Sequence, residues 1–152
     1  MWYRVFGITD NQPEPVAILE HLRTIDWRIT GHFKGDEHGW TRAEIVYADN
    51  ATPLRLERYL ATQDDIRDDL NSWAAWLETM DHHPAHAGLM QHVIQTKQLF
   101  TLQRPRDADD ASVLKLCLAI CHFLARQTAG VYQIDTRGFF AADGTMRLPE
   151  TV

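Results

Sequence analysis

The sequence predicts an α+β fold: a largely antiparallel sheet with about three main helices on one face. Three observations carry that expectation. Residues 27–34 alternate strictly, Trp27, Ile29, Gly31 and Phe33 against Arg28, Thr30, His32 and Lys34, which is the period of a half-buried strand. "GDEHG" (35–39) supplies turn residues and "WTRAEIVYA" (40–48) resumes extended character, so residues 27–48 read as a hairpin with Trp27, Ile29 and Phe33 toward the core. Two other stretches have the helical period instead. "TQDDIRDDLNSWAAWLETM" (62–80) spaces Ile66, Leu70, Trp73, Leu77 and Met80 along one helix face. Residues 107–130 begin acidic, carry Arg126 near their end and stop at Gly130.

The remaining elements fall in between. "WYRVFGI" (2–8) is aromatic and β-branched enough for a strand, and Asp10, Asn11 and Pro13 punctuate the chain after it. Val16, Leu19, Leu22 and Ile25 then recur every third residue, as on an amphipathic helix. "LRLERYL" (54–60) alternates as a further strand, and Thr62 is placed to cap the helix after it, with Asp65 three residues on. Pro84 opens a new helical turn, residues 93–103 read as a strand ending at Arg104-Pro105, and "VYQID" and "GFFAADGTMRL" form a terminal strand pair turning at Asp143-Gly144. The order β-α-β-β-β-α-β-α-β-β suggests a ferredoxin-like or related split arrangement. The helix in 107–130 is apolar over most of its circumference, with only Ser112, Lys115, His122 and Arg126 in a polar stripe. It should be central or lie in a subunit interface.

Composition bounds the function. The 152 residues suit one domain spanning 1–152, and 45% apolar, 24% charged and 10% aromatic residues, five of them tryptophan, argue against extended disorder. A net charge of −6 gives no electrostatic footprint for nucleic acid, and the densest basic group, Arg104 and Arg106, is followed at once by Asp107. No stretch approaches the roughly 20 apolar residues that span a bilayer, so a cytoplasmic protein is expected, without membrane or nucleic-acid partners. Cys117 and Cys121, four apart on one helix face without a second cysteine pair, read as small buried thiols rather than a metal site. Five tryptophans, an apolar helix and open sheet edges favour a homodimer.

Several clusters could carry chemistry. "DDIRDD" pairs Asp64 with Asp68 and Asp65 with Asp69 at i,i+4, a spacing that could hold Mg²⁺, but negative charge in the first turns of a helix is explained by the unpaired N–H groups there. His82, His83, His86 and His92 would be the zinc-ligand candidates, but the turn at Pro84 separates His82 from His86, and no metal is assigned. Tyr59, Trp73 and Trp76 could line an apolar ligand pocket. Tyr132 and Phe139, in "GVYQIDTRGFF", belong either to an exposed aromatic hairpin that binds a partner or to a sheet edge packed on its own helix.

"LRLERYLATQDDIRDDLNSWAAWLETMDHHP" resembles the centre of the pterin-4a-carbinolamine dehydratases, in which a strand and a long helix end in an acidic-x-x-x-His-His-Pro motif. The resemblance covers residues 39–128. It implies an α+β dehydratase that binds a pterin and removes its 4a-hydroxyl as water without metal, His82 and His83 handling the protons. The family's further histidine has no counterpart in "LFTLQRP". No phosphate loop and no nucleophile elbow occurs elsewhere. The expected function is therefore a non-catalytic binding or interaction module for an unidentified protein or small molecule, with no cofactor. The dehydratase is the alternative.

Overall fold

Alternation along each strand sorts side chains onto two faces of one sheet, and apolar residues occupy both. The computed structural model describes residues 1–150. Its strands are β1 (Trp2–Gly7), β2 (Thr30–Asp36), β3 (Gly39–Val46), β4 (Leu54–Leu60), β5 (Gln98–Gln103), β6 (Val131–Ile134), β7 (Gly138–Ala141) and β8 (Met146–Pro149), in the order β2-β3-β4-β5-β1-β6-β7-β8. Every neighbouring pair is antiparallel. The helices are α1 (Pro15–Arg23), α2 (Arg67–Glu78), α3 (His86–Ile94) and α4 (Ala111–Gln127), completing an α+β fold. Because β1 pairs antiparallel with both β5 and β6, those two strands run parallel with β1 between them, and α4 joins them in a split crossover.

The helices divide between the two faces rather than covering one. Ile18 and Leu22 of α1 and Leu116, Ile120 and Leu124 of α4 pack on Val5, Ile45, Leu56 and Phe100. Leu70 and Leu77 of α2 and Leu89 and Val93 of α3 pack on the opposite face, against Phe6, Leu99, Val131 and Phe139. The reason lies in the central strands, where Val5-Phe6, Leu99-Phe100 and Phe139-Phe140 are consecutive buried residues that point opposite ways. A strand apolar on both sides needs cover on both sides.

Four local expectations change. Trp27 is 80% exposed: the Asp26 carboxylate accepts the Arg28 N–H and pairs its guanidinium, making a turn, so β2 starts only at Thr30. Ile29 is buried and Phe33 half-buried, so the register from there on is as expected. Helix α2 begins at Arg67, with Ile66 rather than Thr62 before its first residue, because Asp64 accepts the Leu60 N–H at 2.7 Å and closes a turn. Residues 93 and 94 belong to α3, and the strand expected over 93–103 starts only at Gln98. The terminal pair is three strands, with β7 and β8 turning at residues 143 and 144. Cys117 and Cys121 are free and fully buried, and burial pushes the Cys117 thiol up to about 11. Among the described residues no helix is long and apolar enough to cross a membrane.

Candidate functional site

Helices α2 and α3 cover only part of their face. Over β2, β3 and β4 that face is left to polar side chains, and a groove opens where the first turn of α2 overhangs the bare sheet. Sheet register builds its floor. Arg4 lies opposite Thr101, Thr101 opposite Glu57, Glu57 opposite Arg42, and Arg42 opposite Lys34, so one row of polar side chains crosses five strands. The neighbouring row is Phe6, Leu99 and Tyr59.

The larger part of the groove is a cavity of about 470 Å³. Trp2, Tyr59 and Trp73 form its walls and Ile66 and Leu99 its apolar surface, while Asp64, Asp65 and Asp69 stand at its rim from the chain entering α2. Arg4 enters from the floor. Its Nη1 donates to Gln133 and Asp135, both at 2.8 Å, and its guanidinium lies 5.0 Å above the Trp73 ring. Asp135 therefore neutralises Arg4, whereas among the described residues no cation pairs with Asp64, Asp65 or Asp69. The cavity is left acidic and aromatic. The Tyr59 hydroxyl donates to the Glu57 carboxylate, and burial first, then Glu57, pushes its pKa up to about 12, so it remains a donor. Trp73 is fixed edge-on against Phe6, Trp76 and Phe139, which makes it a rigid wall.

Of the residues singled out in the sequence, Tyr59 and Trp73 meet in this groove together with Asp64, Asp65 and Asp69. Trp76 stacks on Phe139 outside the groove lining. Phe139 is fully buried, and Tyr132 is buried with its hydroxyl 2.9 Å from His122 Nε2, so the terminal aromatics form a packed sheet rather than an exposed hairpin. Although they share a groove, the aspartates do not converge as metal ligands, and among the described residues no group of three or more His, Cys, Asp or Glu does. The histidines serve the α2–α3 connection. His83 Nδ1 accepts the Ala85 N–H at 3.1 Å, His86 Nδ1 donates to the His83 carbonyl oxygen at 2.8 Å, and His82 is exposed. His83 thus orders the entry to α3 and not the end of α2, which closes at Thr79. His92 Nε2 donates to the Phe6 carbonyl oxygen at 2.8 Å, tying α3 to β1.

Sequence reasoning missed Trp2, Arg4, Glu57 and Thr101. The alternation of "YRVF" and "LRLERYL" puts Arg4 and Glu57 on non-core positions, which was the available signal, but pairing β4 to β5 to β1 is what brings them together. Comparison with protein-family models, curated proteins and solved structures gives no match.

Proposed function

We propose that the chain is a non-catalytic binding domain whose groove holds an organic cation, an ammonium or guanidinium on an apolar stem. The observation that carries this reading is three carboxylates without a cationic partner around a cavity walled by aromatic rings. The stem would lie on Ile66 and Leu99 and the cation between the aspartates, the exposed ring of Trp2 and the half-buried ring of Tyr59. One face of Trp73 is already taken by Arg4, so Trp73 shapes the site more than it binds charge.

Magnitudes set the expected strength. An exposed ion pair contributes about 0.2–1 kcal/mol and a cation over an exposed ring about 0.5–1 kcal/mol. Such terms, with the stem's apolar contact, correspond to a dissociation constant on the order of 1 mM to 0.1 mM for a single-headed amine. Affinity should fall with salt, since the charges are exposed. The test is a tryptophan-fluorescence titration with butylammonium, butanol and butyrate at low ionic strength. Only the cation should bind, and Asp65→Asn with Asp69→Asn should weaken it about five-fold. Equal binding of the alcohol, or indifference to the double substitution, would refute the assignment.

A further inference from the structure

The turn between α1 and β2 holds an indole out of the fold beside a pocket that nothing fills. The Ile29 N–H donates to the Asp26 carbonyl oxygen at 3.2 Å, and the Asp26 carboxylate accepts from the Arg28 N–H and guanidinium, so residues 26–29 form a tied turn with Trp27 at its corner. Trp27 is 80% exposed, the most of any large apolar side chain among the described residues. Its neighbours Asp26 and Ile29 line a cavity of about 250 Å³ between the end of α1 and the start of α4. Ile25, Ile29, Tyr47, Val113 and Leu116 make the cavity largely apolar, and it also includes Lys115. A cavity of this size falls below the range of about 300–1,000 Å³ that encloses a drug-sized ligand, and it suits a single inserted side chain. The chain's own Trp27 cannot supply that side chain, because its turn is tied with the ring outward.

We propose that this patch is a two-fold interface with a second copy of the chain, in which each copy's Trp27 enters the other's pocket. A two-fold interface needs a surface complementary to itself, with donor and acceptor parts side by side on one copy. An exposed indole beside an apolar pocket meets that requirement, and buried tryptophans carry much of the binding energy of such contacts. The charges around the pocket are also self-complementary. Lys115 is exposed and makes no ion pair among the described residues. Acidic groups lie close by: after burial, Asp107 and Asp110 push the Tyr47 hydroxyl up. Both aspartates are exposed. Two-fold pairing can set each copy's Lys115 against the partner's acidic rim, where a rim of one sign would meet its own image and repel.

Sedimentation velocity from micromolar to millimolar protein tests this. The wild type should pass from monomer to dimer with concentration. Trp27→Ser removes the indole, and Ser112→Phe fills the pocket, which Ser112 also lines, without altering Trp27. Each should raise the dimer dissociation constant about 30-fold or more, the scale of a hot-spot tryptophan. Lys115→Ala should raise it by up to about five-fold, the range of one exposed ion pair. All three positions are exposed, and an unchanged thermal transition checks that the fold survives. A mixture of Trp27→Ser with Ser112→Phe should recover part of the association, because one copy still offers its open pocket and the other its indole. A wild type that stays monomeric throughout, or a dimer that survives Trp27→Ser, overturns the proposal. A monomer whose pocket binds N-acetyltryptophanamide overturns it as well, since the pocket then serves an aromatic side chain of a different protein.

Discussion

His83 accepts a backbone N–H two residues on, while its neighbour His82 points to solvent, and this asymmetry separates two accounts of the pair. A hydrogen bond of this kind contributes about 1 kcal/mol net. His83→Ala should therefore lower stability to urea by about 1 kcal/mol and His82→Ala by much less, whereas a catalytic pair would lose activity equally with little change in stability. We expect the wild type not to dehydrate a 4a-hydroxytetrahydropterin above the spontaneous rate. Activity that disappears in both variants would restore the dehydratase reading. At this scale the sequence was partly legible: Tyr59 and Trp73 were candidates, but nothing in "WYRV" alone says that Arg4 meets Trp73 and Asp135, since those partners lie far along the chain. Trp27 was misread because strict alternation was extended through a turn that Asp26 closes with its own carboxylate.

Two contacts between elements make predictions of their own. Phe139 on β7 is the fully buried ring against which Trp73 and Trp76 of α2 pack, so Phe139→Ala should cost about 3–5 kcal/mol in urea unfolding and loosen the groove wall. A loss below about 1 kcal/mol would show that α2 is not held there. His92 ties α3 to β1, and His122 of α4 meets Tyr132 of β6. Burial, with Arg147 adding to it, holds His92 below the ordinary histidine range, and burial with Arg126 does the same for His122, against Asp143. The unfolded chain therefore binds protons more readily than the folded one. Stability from this source is complete above the unfolded value of about 6.5 and is lost as pH falls through the lower folded values. The urea midpoint should drop with acidification below that value, and His92→Gln, which keeps a donor for Phe6, should flatten the dependence. A midpoint as steep in the variant as in the wild type would remove His92 from the account. Helix α3 escaped the sequence reading because only Leu89 and Val93 mark its buried face and the β-branched Val93-Ile94 runs on toward β5. Long α4, with seven buried positions, was legible from its acidic start, Arg126 near its end, the stop at Gly130 and a polar stripe at helical spacing.

Across the molecule, the α+β class and the antiparallel pairing followed from local alternation, while the placement of helices on both faces did not, because a doubly apolar strand does not say which helix covers which side. The groove is a product of that division. Where α2 and α3 stop, the sheet's second face passes from Leu99 and Phe139 to Glu57, Arg42 and Lys34, and the change from apolar to charged floor creates a site that no single segment contains. A net charge of −6 also favours the approach of cations over anions, so weak binding elsewhere on the surface must be distinguished from binding in the groove. Mapping by ¹H–¹⁵N correlation spectra during titration with butylammonium does so most directly. The account predicts saturable shifts confined to Tyr59, Asp65, Asp69, Thr101 and the indole N–H groups of Trp2 and Trp73, and their loss in Asp65→Asn/Asp69→Asn. Shifts scattered over the acidic surface, or centred on His82 and His83, would contradict it.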